Sequence, residues 1–359
     1  MDEQIFVIQA YGGISRMFTE LARQFIENRI GEVTLRPLSA PVVNHYILDD
    51  PVLRRELDVR PSKNEWTSLA RYFFRIHTHP TSDIVHNTFY LPHGLAPTRG
   101  SKRVVTVHDM IPELMPQTRR RLDLLTLKRR YVDSADAIIC VSEATKRDLL
   151  AVYPEVSAPI SVIHHGVDRR FVPGVPPLEG MPEKYLLMVG NRGQYKDAAT
   201  LFCAFAEIAG DHPDLALVCV GGGPLSQDEQ AFVTERGLSS RVYQRNLYDS
   251  ELSAIYGNAA VFVFPSRFEG FGLPALEAMA CGAPTVLADA TSLPEVGADA
   301  TRYFEPGNSG DLAAVLAGIL ADASEQESLR QRGLTRAKMF DWNATAERTA
   351  AAYRAALDG

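Results

Sequence analysis

Short β-branched runs alternate with stretches of helical period along almost the whole chain. In the first half IFVIQ, EVTLRPL, SDIVH, RVVTVH, DAIICVS and SVIHH read as strands; in the second, YLLMVG, LALVCVGG, VYQ, AVFVFPS, APTVLA and ATRYF do. Strands separated by helix-length segments predict parallel sheets covered by helices, an α/β protein rather than a sandwich or a bundle. Between the halves lies DRRFVPGVPPLEGMPEKY, where Pro173, Pro176, Pro177 and Pro182 with two glycines forbid a helix and favour an extended connection. A domain boundary is expected there. It leaves two α/β halves of similar size, each doubly wound, with ligands expected beyond the carboxyl ends of the strands and a cleft where the two halves face each other. The late segments DLAAVLAGILADASEQESLRQRGLTRAKMF and DWNATAERTAAAYRAALDG are helical in composition and offer no strand.

Composition narrows the class. With 359 residues, 46% hydrophobic and 23% charged, the chain suits a soluble globular protein of two domains. The formal net charge of -7 provides no global attraction to nucleic acid, so an anionic ligand has to be bound by local groups, and no nucleic-acid partner is expected. Cys140, Cys203, Cys219 and Cys281 are far apart, without metal-ligand spacing, and read as small apolar residues in a reducing compartment. The start MDEQIFVIQAYGG has no basic segment followed by an apolar signal core, and no run approaches the roughly 18 to 20 apolar residues of a spanning helix. These features predict a cytoplasmic protein. The stretch TRRRLDLLTLKRRYVDS, with Arg119, Arg120, Arg121, Lys128, Arg129 and Arg130, suits either peripheral contact with an anionic membrane surface or a solvated helix whose apolar side meets the sheet.

Strand-to-helix turns carry the candidate chemistry, because backbone N–H groups at helix starts bind phosphate without a net positive protein. In AYGGIS, Gly12 and Gly13 allow close backbone approach, but the third glycine of G-x-G-x-x-G is missing, which counts against a dinucleotide-binding dehydrogenase. GNRGQYKD places Arg192 and Lys196 at a strand end, a planar fork and a mobile point charge suited to a leaving diphosphate. In RVVTVHDM, His108 is positioned to hydrogen-bond a substrate hydroxyl or to take up a proton near neutral pH, or it is a satisfied structural histidine; Asp109 suits a cap. His77, His79, His86 and His93 show no zinc spacing, and no metal is expected. SRFEGFGLPALEAMACGAPT sets Glu269 in a glycine-rich turn and Glu277 on the following helix. Carboxylates accept paired hydrogen bonds from vicinal hydroxyls, so one can hold a ribose and the other a second sugar, with loop N–H groups between them at a diphosphate.

EGFGLPALE resembles the E-x7-E motif of the retaining glycosyltransferases of family 4, which adopt the GT-B fold of two facing Rossmann-like domains. QAYGGISR, VVTVHDMIPE, CVSEATKRDLL, HHGVD, GNRGQYKD, VGGGPL, LSAIYGNAAVFVFPS, SLPEVGADA and the late DW segment are similar to family blocks in family order. The resemblance implies an acceptor-side domain over 1–168, a linker over 169–183, a nucleotide-sugar domain over 184–340 and a last segment, 341–359, returning to the first domain. It implies that Gly12, Gly13, Arg192 and Lys196 serve the diphosphate, Glu277 the ribose, and His108 and Glu269, with the backbone of Gly270, Phe271, Gly272 and Leu273, the transferred sugar. Backbone around Gln244 to Asn246 is implied at the base. Asp197 stands where the family often has Asn or Gly and would either weaken anion binding or orient Lys196; His165 replaces a frequent Asn. No D-x-D is present, in keeping with a metal-independent enzyme. The implied function is retaining transfer of a hexose, mannose from GDP-mannose first and UDP sugars second, to a glycan or lipid-linked glycan in surface polysaccharide synthesis. The alternatives are a GT-B epimerase or phosphorylase, or a nucleotide-sugar-binding subunit without turnover.

Overall fold

The structure, a computed structural model, describes residues 1–75, 82–95, 100–116 and 124–359. The chain forms two compact units, Met1–Gly166 with Asp341–Gly359, and Val167–Phe340. In the first, the helices α1 (Gln4–Ile8), α2 (Gly13–Glu27), α3 (His45–Leu48), α4 (Pro51–Glu56) and α5 (Glu65–Arg75) precede the sheet. Its strands β1 (Ile84–Asn87), β2 (Lys102–Val107), β3 (Ala137–Cys140) and β4 (Ile160–Val162) are parallel in the order β1-β2-β3-β4. Between them run α6 (Ile111–Leu114), α7 (Leu124–Asp133) and α8 (Glu143–Val152), the last capped by Ser142, whose Oγ accepts from Thr145 N.

Phe18, Leu21, Ala22 and Phe25 on α2 recur at helical spacing and are all buried. The C-terminal helix, Trp342–Asp358, packs Tyr353 against Phe25 and ties the tyrosine hydroxyl to His86 Nδ1 at 2.7 Å. Thr345 Oγ1 donates to His164 O at 2.8 Å, fixing the start of that helix to the chain after β4.

Two expected strands are absent from the described sheet. IFVIQ is the helix α1, with Ile5, Phe6 and Val7 buried; an apolar run this short has no period to distinguish strand from helix. Asp2 meets the edge of β1 instead: its N–H donates to His86 O at 2.9 Å, and its carboxylate accepts from Asn87, Thr88 and Gln4. EVTLRPL contains no strand either; Leu38 N–H bonds Leu57 O at 2.8 Å, outside the sheet.

The second unit is a six-stranded parallel sheet of β5 (Tyr185–Val189), β6 (Ala216–Val220), β7 (Val242–Arg245), β8 (Val261–Phe264), β9 (Thr285–Ala288) and β10 (Arg302–Phe304), in the order β10-β9-β8-β5-β6-β7. The connecting helices are α9 (Ala198–Ile208), α10 (Gln227–Glu235), α11 (Leu252–Gly257), α12 (Leu273–Ala280), α13 (Leu293–Gly297), α14 (Ser309–Ala321) and α15 (Ala323–Ala337). α9 packs with α14, and α12 with α15. The proline-rich segment lies on this unit: Val172 N–H donates to Ser253 Oγ, and Asn258 Nδ2 donates to Val175 O at 2.9 Å.

Among the described residues no helix is long and apolar enough to cross a membrane. Arg119, Arg120 and Arg121 lie outside the described residues. On α7, Lys128 turns inward, donating to Asp109 O and Glu113 Oε2, both at 2.9 Å, while Arg129 pairs with Asp133 at 2.7 Å. Of that helix's three cations only Arg130 is exposed, and Tyr131 and Val132 on it are buried.

Candidate active site

In the second unit the winding reverses between β8 and β5, and sheets of this kind bind ligands beyond the carboxyl ends of the strands at that point. The loop leaving β5 carries Arg192 and Lys196, and the loop leaving β8 carries Glu269. Lys196 Nζ donates to Glu269 Oε1 at 2.5 Å, and the ammonium lies 5.2 and 5.3 Å from the rings of Tyr195 and Phe264. The two side chains are only 18% and 11% exposed, so the pair sits in a medium where each charge needs the other.

The loop from Glu269 to α12 is held from its far side. Thr291 Oγ1 accepts from Glu269 N at 3.0 Å, and Ser292 Oγ reaches Glu269 O at 3.0 Å and Phe271 O at 2.9 Å. Phe271 itself is buried edge-on against Phe340, so its side chain anchors the loop and its backbone faces the turn. Gly272 opens α12 at φ +107°, a conformation that side chains resist, and an added Cβ would meet Leu293 Cδ2 at 2.8 Å. Gly272→Ala is expected to cost about 1–3 kcal/mol of stability, read from urea unfolding; an unchanged midpoint would contradict this account of the turn. Leu273 begins α12, and Gly270 is buried beside Glu269.

One turn into α12, the buried Glu277 accepts from Tyr256 Oη of α11 at 3.0 Å. Lys196, Glu269, Gly270, Phe271, Gly272, Leu273 and Glu277 thus share the β5 and β8 loops and the helix that follows.

Arg192 is engaged differently from a phosphate ligand. Its guanidinium donates to Gly221 O at 2.8 Å, Gly223 O at 3.0 Å, Pro224 O at 2.7 Å and Glu229 Oε1 at 2.9 Å. It braces the loop after β6, whose Gly221, Gly222 and Gly223 have φ of +83°, +72° and +72°. Gln244 at the end of β7 also turns back, donating to Asn246 Oδ1 at 2.9 Å. Asp197 does not orient Lys196: its carboxylate accepts from Arg267 Nε at 2.6 Å and from Thr200 Oγ1 at 2.8 Å, which neutralises it.

In the first unit, Gly12 precedes α2 in an extended conformation, φ 162°, which any residue adopts. Its carbonyl accepts from Arg16 N at 2.9 Å, and Gln9 Oε1 accepts from Ser15 N at 3.1 Å, so a glutamine caps this helix from four residues before the first helical one. Gly13 is that first residue. His108 follows β2, buried and edge-on to Phe18 at 5.8 Å, with its Nε2 unpartnered. Burial, and then the nearby Lys128 charge, push its pKa down to about 3. It is therefore a neutral imidazole, and uptake of a proton near neutral pH, one of the two roles expected of it, does not fit this site. His165 is buried beside Trp342, His86 bonds Thr106 and Tyr353, and His93 lies in a short turn; His77 and His79 lie outside the described residues. Among the described residues no group of three or more His, Cys, Asp or Glu is set to hold a metal ion.

Tyr256, Thr291, Ser292 and Arg267 escaped sequence reasoning. Ser292 stands in SLPEVGADA, but an isolated hydroxyl carries no spacing signal; only the tertiary contact reveals its work.

A doubly wound unit with two acids and a lysine at its switch point, in a chain that also carries a second parallel α/β unit, is the make-up of the GT-B class of glycosyltransferase. Residues 11–171 match Glycosyltransferase Family 4, and residues 176–336 match Glycosyl transferases group 1. The O-antigen chain mannosyltransferase B of Escherichia coli is 30% identical over 282 residues, covering 74% of this chain and 72% of that one. The MMP alpha-(1->4)-mannosyltransferase of Mycolicibacterium hassiacum is 29% identical over 295 residues, covering 77% and 71%. Among solved structures, Anabaena HepE in complex with UDP aligns with a TM-score of 0.73 at 17% identity over 97% of this chain and 98% of that one. The sucrose-phosphate synthase of Thermosynechococcus elongatus aligns at 0.66 and 24%, covering 83% and 80%. The chain belongs to the family 4 glycosyltransferases of GT-B fold.

Proposed function

We propose that the protein transfers mannose from GDP-mannose to a hydroxyl of a glycan acceptor, with retention at the anomeric carbon, in the assembly of a polysaccharide. The observation that carries the donor side is the Lys196–Glu269 pair with Glu277 beyond it: a cation beside a carboxylate at the switch point, and a second carboxylate along the next helix. Lys196 takes the growing charge of the leaving diphosphate, and release of its hold on Glu269 turns that carboxylate to the sugar. Glu277, kept in place by Tyr256, accepts from the two ribose hydroxyls. Arg192 acts through the glycine loop it braces, and backbone near Gln244 to Asn246 receives the base. Gly12, Gly13 and His108 of the first unit are assigned to donor phosphate and donor sugar on the family resemblance, His108 as a neutral hydrogen-bonding group.

The transfer needs no metal, and the leaving phosphate helps remove the acceptor proton. Glu269 supports the oxocarbenium-like state by position and charge. The mannosyltransferase relatives favour mannose. The HepE complex holds UDP, which makes UDP sugars the second donor class to test. Placement of the enzyme in the cytoplasm, with or without contact to a membrane face, belongs to the same proposal.

Calorimetry with GDP-, UDP- and ADP-sugars is expected to rank GDP-mannose first, and NMR of the product to show the donor's own anomeric configuration. An inverted product, or tighter binding of another nucleotide, would overturn the corresponding part.

A further inference from the structure

The first unit holds an aromatic cluster that donor chemistry does not use. Tyr11, in the turn between α1 and α2, is 58% exposed. Its ring lies parallel to that of His45, 4.7 Å away at an interplanar angle of 4°, and Tyr46 meets it edge-on at 5.5 Å. Arg16 of α2 lies 5.0 Å from the Tyr46 ring centre and donates to its hydroxyl at 3.2 Å. A surface tyrosine supported in this way is ordered in advance, and a ligand landing on it freezes little further motion.

The same short helix leads from the stack into a groove. His45 and Tyr46 open α3, and Leu48, Asp49, Pro51, Arg54, Arg55 and Val59 line a depression of about 620 Å³. Asp49 joins the two parts, its carboxylate 3.9 Å from His45 Nδ1. Arg55 is already paired with Glu56 at 2.8 Å. With Asp49 in the wall and Arg55 neutralised, the groove is a poor match for a polyanion. It supplies a carboxylate acceptor and the Arg54 donors, joined through Asp49 to His45, on which the Tyr11 ring is stacked.

A pyranose needs that combination, because its C–H face is apolar and packs on an aromatic ring while its hydroxyls require both donors and acceptors. The volume lies within the roughly 300–1,000 Å³ of small-ligand sites. We infer that Tyr11, His45 and Tyr46, with the groove of Asp49 and Arg54, bind the acceptor as a short neutral glycan whose end sugar lies on the Tyr11 ring. The inference rests on the transferase reading above and names the acceptor subsite.

Mannotriose and methyl α-mannopyranoside serve as probes, followed by saturation-transfer NMR and titration on the intact protein, with GDP and UDP affinity measured separately by calorimetry. Wild-type protein is expected to bind mannotriose at least fivefold more tightly than the monosaccharide, because the groove takes the inner residues. Tyr11→Ala should weaken mannotriose at least tenfold while Tyr11→Phe stays within twofold of wild type, since the ring face and not the hydroxyl is used; GDP affinity should be unchanged in both. No saturation transfer to wild type, equal binding by Tyr11→Ala, or parallel loss of GDP affinity overturns the platform, and equal affinity for the two probes overturns the groove. If wild type binds mannotriose through Tyr11 but neither nucleotide, the transferase reading fails and the platform stands.

Discussion

Lys196→Ala is expected to lower kcat by about 10²–10³-fold, the loss seen when one preorganised group at a developing charge is removed. The same change leaves Glu269, a nearly buried carboxylate, without its 2.5 Å partner, and breaking such a pair costs roughly 3–5 kcal/mol, less here because both groups retain some solvent. The two effects separate in a double-mutant cycle. Glu269→Gln in the Lys196→Ala background removes the stranded charge, so the double variant should regain most of the lost stability while remaining as inactive as the single one. Glu277→Ala is the contrast: it should raise the nucleotide Kd about tenfold or more through lost ribose hydrogen bonds, whereas Glu269→Gln should act mainly on kcat. Urea unfolding, steady-state kinetics and nucleotide calorimetry on the wild type and the four variants read all terms. Full activity in Lys196→Ala, or stability losses that simply add, would remove the pair from the chemistry.

The sheet of the second unit was legible because four of its strands, β5, β6, β8 and β9, are buried, mostly apolar runs bounded by glycine, proline or a charged residue, and all six expected runs form strands, including the more polar β7 and β10 at the two edges. The start of the first unit was not. IFVIQ satisfies strand and helix alike, and the contacts that seat it are tertiary: Ile5, Phe6 and Val7 are buried in the core, and the Asp2 carboxylate just before it binds Asn87 and Thr88 across 85 and 86 positions of sequence. The same limit applies at the site. Glu269 and Glu277 stand out because their spacing around a glycine turn is itself a pattern, but Arg192 looks in sequence like a free guanidinium. Its four carbonyl and carboxylate partners lie 29 to 37 positions away, on a neighbouring strand's loop and helix. His108 was legible as a strand-end histidine, while its protonation behaviour depends on burial that only packing creates.

That burial has a consequence for pH. His86, His108 and His165 are all buried in the first unit; desolvation is the largest cause of the lowered pKa in each, holding His108 and His165 down at about 3 and His86 well below its ordinary value. Besides desolvation, the Lys128 charge lowers His108 and the chain's amino terminus lowers His86, and a proton on any one of the neighbouring histidines would oppose a second. In the unfolded chain these side chains titrate near 6.5. Between that value and about 3 the unfolded state binds more protons than the folded one, so the stabilisation is complete above pH 6.5 and shrinks steadily as pH falls. At pH 5 the loss is about 2 kcal/mol for each of His108 and His165, at 1.4 kcal/mol per unit of pH below 6.5. Ordinary carboxylates titrate below pH 5; the buried amino terminus of Met1, its pKa also lowered by desolvation, adds to the same trend, and the His165→Asn variant separates the histidine part from it. The two tryptophans make it observable, because both lie in the first unit: Trp66 is 82% exposed in the native protein, while Trp342 is 4% exposed and 5.8 Å from His165, so a red shift reports Trp342. Urea titrations followed by fluorescence should show the Trp342 transition moving to lower urea between pH 7.5 and pH 5, with a smaller displacement in His165→Asn. A midpoint independent of pH over that interval would mean that these histidines are reached by water in the folded state, and the neutral imidazole assigned to His108 would fall with them.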